Sequence, residues 1–61
     1  MKIKATFKGK DGSCGFFAGK EYDLEITQLY RLISVLGGDN RYCDYETVIS
    51  FLNNWDNIKT R

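Results

Sequence analysis

Hydrophobic and polar residues alternate from the start of the chain: Ile3, Ala5 and Phe7 are interleaved with Lys2, Lys4, Thr6 and Lys8. A period of two is that of a strand with one buried face, here with a basic outer face. Gly9 to Gly15, GKDGSCG, follows, and its glycines and Asp-Gly pair predict an irregular loop or turn. Alternation resumes over Lys20 to Ile26, with Tyr22, Leu24 and Ile26 inward and Glu21, Asp23 and Glu25 outward. If these strands pair antiparallel, lysines face carboxylates, each pair contributing roughly 0.2–1 kcal/mol. Lys2, Lys4 and Lys8 then form half of a neutralised surface, not a phosphate-binding stripe.

Leu29 to Val35, LYRLISV, fits two patterns. Ile26, Leu29, Tyr30, Ile33 and Leu36 have helical spacing with Gly37-Gly38 as a C-terminal cap. The run is also short, apolar on both faces and followed by GGDN, a hairpin-turn sequence. Packing favours the strand, because three or more strands give a face broad enough to cover. A further short strand is expected over Arg41 to Cys43. The closing segment, Asp44 to Ile58, reads as an amphipathic helix capped by Asp44. At 100° per residue Tyr45, Val48, Ile49, Phe51, Leu52, Trp55 and Ile58 share about half its circumference. That width suits a helix lying on a sheet whose inner face carries Ile3, Phe7, Tyr22, Leu24 and Ile33. The fold class expected is therefore α+β: one domain, residues 1–61, with a C-terminal helix packed on a small antiparallel sheet. The alternative is that an edge of the helix stripe extends into a homodimer or partner interface.

A chain of 61 residues holds a single core and buries only ~60% of its unfolded surface, so its margin is thin. Nine basic against eight acidic residues give a formal charge of +1, which speaks against nucleic acid as the main partner. The N-terminal MKIKATFK lacks the apolar block of a signal peptide, and no segment approaches the ~20 apolar residues of a membrane helix. A cytoplasmic protein with no membrane partner is expected, with Cys14 and Cys43 reduced and acting as small hydrophobes.

The order of these elements resembles the small SH3-like proteins encoded by phages and prophages of Gram-positive bacteria. The matching stretches are Lys4 to Lys10, Gly19 to Leu24 (GKEYDL) and Tyr45 to Phe51 (YETVISF). The resemblance implies an SH3-like sheet or partial barrel and a setting in mobile elements. It implies no activity. The final helix departs from a minimal SH3-like barrel, which ends in a strand.

Catalysis has little to draw on. There is no His to serve as a base near neutral pH or to activate a cysteine. Glu21, Asp23 and Glu25 point from a wet strand face, and Asp11, Asp39 and Asp44 belong to turns or a cap. G-x-x-x-x-G-K-[ST] is absent. We read the chain as not an enzyme, with no metal and no cofactor. Binding remains: Phe16 and Phe17, with Arg31, Arg41 and Tyr42, form a candidate contact patch, since aromatics and Arg are frequent interface anchors. Adjacent Phe16 and Phe17 point to opposite sides of an extended segment, and the plainer reading puts one into the core and the other over the barrel end. Trp55, on the helix's inner side, reads as core. The function expected is non-catalytic association with a host or phage protein. By the resemblance, this would be an accessory role modulating a host protein such as a defence component. The alternatives are a nucleic-acid-binding module using the Lys2, Lys4 and Lys8 face with the loop aromatics, and a self-associating structural phage protein.

Overall fold

The computed structural model describes residues 1–38 and 41–61, with the backbone alone at Leu29. Five strands form one antiparallel sheet: β1 (Lys2–Phe7), β2 (Glu21–Leu29), β3 (Leu32–Gly37), β4 (Tyr42–Tyr45) and β5 (Trp55–Thr60). Their spatial order is β4-β3-β2-β1-β5. One helix, α1 (Val48–Asn54), joins β4 to β5, and a 3-10 turn at Ser13–Gly15 sits in the loop from β1 to β2.

The first two strands follow the alternation. Ile3, Ala5 and Phe7 are buried and Leu24 faces them from β2, with Tyr22 and Ile26 partly buried beside it. The register sets Lys2 opposite Glu25 and Lys4 opposite Asp23. Lys8 lies past the end of β1, where its amide donates to the Asn54 carbonyl.

The ambiguous run is strand, but it is two strands and not one. Pairing runs from Leu24 opposite Gly37 to Leu29 opposite Leu32, so Tyr30 and Arg31 form a two-residue turn. Tyr30 takes a φ of 56°, unusual for an aromatic residue, and no Gly or Asn marks the turn in the sequence. The strand expected at Arg41 to Cys43 is β4, displaced to Tyr42–Tyr45. Asp39 and Asn40 of the GGDN turn lie outside the described residues.

The larger correction is to the closing helix, and with it to the fold class. The fold is mostly β, not α+β with a C-terminal helix. Asp44 and Tyr45 belong to β4, opposite Ser34 and Ile33, and Trp55 begins β5 opposite Phe7. Seven helical residues remain, and Thr47 caps them: its Oγ1 accepts from the Ser50 amide at 3.0 Å. The reason is the free edge of β1, whose backbone groups need partners that Trp55–Thr60 supplies. Between Lys4 and Thr6, β5 carries one extra residue, a bulge with Asn57 at φ 50°. Of the seven residues expected on the inner helix face, Tyr45, Phe51 and Trp55 are buried, two of them from strands. Val48, Ile49, Leu52 and Ile58 are exposed.

The sheet curls far enough for side chains of its two edge strands to touch. In a flat sheet β4 and β5 would lie about 19 Å apart. Here Trp55 Nε1, at the start of β5, donates to the Tyr45 hydroxyl of β4 at 3.0 Å. Phe51 of α1 closes over the seam, its ring centroid 5.9 Å from that of Tyr45.

Candidate functional site

The expected patch does not assemble. Phe16 is fully buried, its ring 4.9 Å from Trp55, 5.0 Å from Tyr22 and 5.6 Å from Phe7 between centroids. It stops the end of the curled sheet and lies so close to Gly37 that a Cβ there would meet the ring at 3.0 Å. Phe17 points the other way and is exposed; its amide donates to the Tyr22 hydroxyl at 3.0 Å, and Lys20 Nζ stands 5.7 Å from its ring. Arg41 lays its side chain along the Gly15 backbone, where a Cβ would come within 3.1 Å of it. Tyr42 is exposed on the outer face of the sheet. Arg31 sits in the β2–β3 turn next to Leu32, four residues along β3 from Leu36, the partner of Tyr42. At strand rise that is roughly 13 Å, so Arg31 and Tyr42 occupy opposite ends of β3.

What the register does assemble is a row across four strands: Lys2, Glu25, Leu36 and Tyr42. Leu36 is 45% and Tyr42 62% exposed, so half of the row is apolar and open to solvent. A shallow cleft of about 400 Å³ runs along the other half, lined by Lys2, Asp23, Glu25, Leu36, Gly37, Gly38 and Arg61. Arg61 anchors one wall, donating from Nε to the Ile3 carbonyl at 2.9 Å and from Nη2 to the Leu24 carbonyl at 3.1 Å. Its Nε is also 3.8 Å from Asp23, while Lys4 Nζ lies 4.0 Å from both Glu21 and Asp23. The N-terminal amine is 3.8 Å from Glu25 Oε1, and the other carboxylate oxygen, Oε2, is shielded from solvent without a hydrogen-bond donor among the described residues. Exposed ion pairs of this kind contribute roughly 0–1 kcal/mol each, so they mute the lysine charge more than they hold the fold.

The cysteines are not free thiols. Cys14, in the 3-10 turn, and Cys43, on the inner face of β4 opposite Val35, form a disulfide with Cα atoms 5.7 Å apart. The expectation of two reduced cysteines is corrected. The bond ties the β1–β2 loop to an edge strand, beside the buried Phe16. The signal for it was the small size of the chain, which calls for a staple. Among the described residues no group of three or more His, Cys, Asp or Glu gathers as metal ligands would. Among them, too, no helix is long and apolar enough to cross a membrane.

A second surface was hidden by the helix reading. Val48, Ile49 and Leu52 face outward from α1, and beside them Arg31, Leu32, Glu46 and Thr47 line another shallow cleft of about 470 Å³. Compared with protein-family models, curated proteins and solved structures, the chain matches none of them.

Proposed function

We propose that the chain is a non-catalytic interaction module that binds another protein through the outer face of its sheet, along the row Lys2, Glu25, Leu36 and Tyr42. The observation that carries this reading is the exposed Leu36–Tyr42 pair, set on the same rung as the charged Lys2 and Glu25. A partner offering an apolar side chain beside polar or charged groups fits that row. Aromatic anchors beside a polar rim are typical of such interfaces. Absence of His, and consumption of both thiols in one bond, support a role without catalysis.

The resemblance to small SH3-like phage proteins extends the proposal to an accessory protein that modulates a host protein, such as a defence component. A minimal barrel of that kind ends in a strand, and β5 supports the likeness where an expected terminal helix had counted against it. The disulfide supports an oxidising compartment over the cytoplasm, since such bonds are rare where thiols are kept reduced. Nucleic acid is the weaker partner, because Lys4 already faces two carboxylates.

Pull-downs with the oxidised and the dithiothreitol-reduced chain test this. The wild type and Phe17→Ala should capture the same partner, and Leu36→Ser/Tyr42→Ala should lose it while keeping the wild-type circular dichroism. Identical partner lists for all three, or none, would defeat the reading. Retention on single-stranded DNA that weakens steeply with salt would favour nucleic acid instead.

A further inference from the structure

The helix α1 is apolar on two sides. Phe51 points into the core, while Val48, Ile49 and Leu52 fall within a 100° stripe turned to solvent, Val48 59% and Ile49 71% exposed. Seven residues are too few for a helix to persist by itself, so tertiary contacts hold this one, and its outer stripe adds nothing to them. The β2–β3 turn extends the apolar surface. Leu32 lines the cleft shared with Thr47, the residue before Val48, and Tyr30 stands fully exposed at the tip with positive φ. A grouped apolar surface of this kind marks a site of association.

The rim of the surface indicates the partner. Arg31 and Glu46 line the same cleft, carry opposite charge and are both exposed. No ion pair involving either side chain is found among the described residues within 4.0 Å. A patch with an apolar centre and one cation and one anion on its rim is complementary to itself under a two-fold rotation. Arg31 of each copy then meets Glu46 of the other, so each contact occurs twice. The formal charge of +1 adds almost no repulsion between copies. We propose that α1 and the β2–β3 turn form the interface of a two-fold homodimer, on a surface separate from the row proposed to bind another protein.

Analytical ultracentrifugation of the whole oxidised chain tests it. The mass should rise from 7.0 kDa toward twice that value as concentration increases. Ile49→Asp, at an exposed position, should weaken dimerisation at least about tenfold, roughly 1.4 kcal/mol. Arg31→Glu and Glu46→Arg should each weaken it, and the double reversal should restore it, which an effect on the monomer alone would not produce. Leu36→Ser/Tyr42→Ala should dimerise as the wild type does. A mass of 7.0 kDa at every concentration overturns the proposal and leaves the face to a foreign protein. A dimer indifferent to Ile49→Asp, or a double reversal without rescue, overturns it too.

Discussion

Tyr45 and Trp55 come from the two edge strands, and the hydrogen bond between their side chains is where the curled sheet closes. Burial pushes the Tyr45 phenol above its ordinary value of 10.0, because the anion would lose its hydration; the indole N–H, which favours the anion, pulls it part of the way back. The sign of the consequence follows from linkage. The folded state holds the proton more tightly than the unfolded chain, so this contribution is complete below about pH 10 and is lost as pH rises through the folded value. Replacing Tyr45 by Phe leaves the indole N–H without its acceptor, which costs about 1–3 kcal/mol at neutral pH. The stability gap between wild type and Tyr45→Phe, measured by urea unfolding, should therefore narrow as pH rises above about 10. A gap that stays constant over that range would show that Tyr45 does not ionise more readily on unfolding. At this scale much was legible: the inward turn of Ile3, Phe7 and Leu24 follows from alternation, and Trp55 is buried as expected, though from a strand and not from the inner side of a helix. The Tyr45–Trp55 contact was not legible, because it joins residues from strands the sequence had read as a single helix.

Among the elements, β1 and β2 were readable because each has one wet and one dry face, so period two survives in the sequence. The closing segment misled for a physical reason. Phe51 and Trp55 have helical spacing, and local pattern carries no sign that β1 still lacked a partner along its outer edge. Asn53 and Asn54 are poor helix formers, and they sit where α1 gives way to β5. The two readings of this segment assign the helix cap to different residues, which makes them separable. Thr47 Oγ1 holds the Ser50 amide, so Thr47→Ala should lower stability by about 1 kcal/mol. Asp44 is an exposed β4 residue opposite Ser34, so Asp44→Ala should change stability by less than about 0.5 kcal/mol. The reverse ranking in denaturant midpoints would restore Asp44 as the cap and lengthen the helix. The same misreading put Val48, Ile49 and Leu52 inside, so that only an edge of the stripe, and not this whole face, was expected to reach a second copy or a partner. The outer row suffered in another way: Leu36 was assigned to the ambiguous run, and only the register sets it beside Tyr42.

For the whole molecule, the question is what gives 61 residues a stable fold when, among the described residues, nine hydrophobic side chains form the buried core. At typical values per residue a chain of this length is stable by roughly 3–9 kcal/mol. Cys14 and Cys43 are 29 residues apart, and closing a loop of that size removes enough unfolded-state entropy to contribute roughly 3–4 kcal/mol. The bond is therefore comparable with the entire margin. It also acts where the sheet is weakest, holding a short edge strand to the loop that carries Phe16 into the core. Two cysteines alone could not announce this, because their proximity depends on the β1–β2 loop folding across the sheet end, which Phe16 and the register of β4 together determine. Reduction with dithiothreitol, or Cys14→Ala/Cys43→Ala, should lower the melting temperature by roughly 12–30 °C, at 4–8 °C per kcal/mol for so small a domain. The reduced chain would then lie close to its unfolding transition at physiological temperature. Calorimetry of the oxidised and reduced forms decides the point. A difference of less than about 3 °C would mean that the aromatic cluster of Phe7, Phe16, Tyr22 and Trp55 holds the loop unaided, with the bond contributing under about 1 kcal/mol.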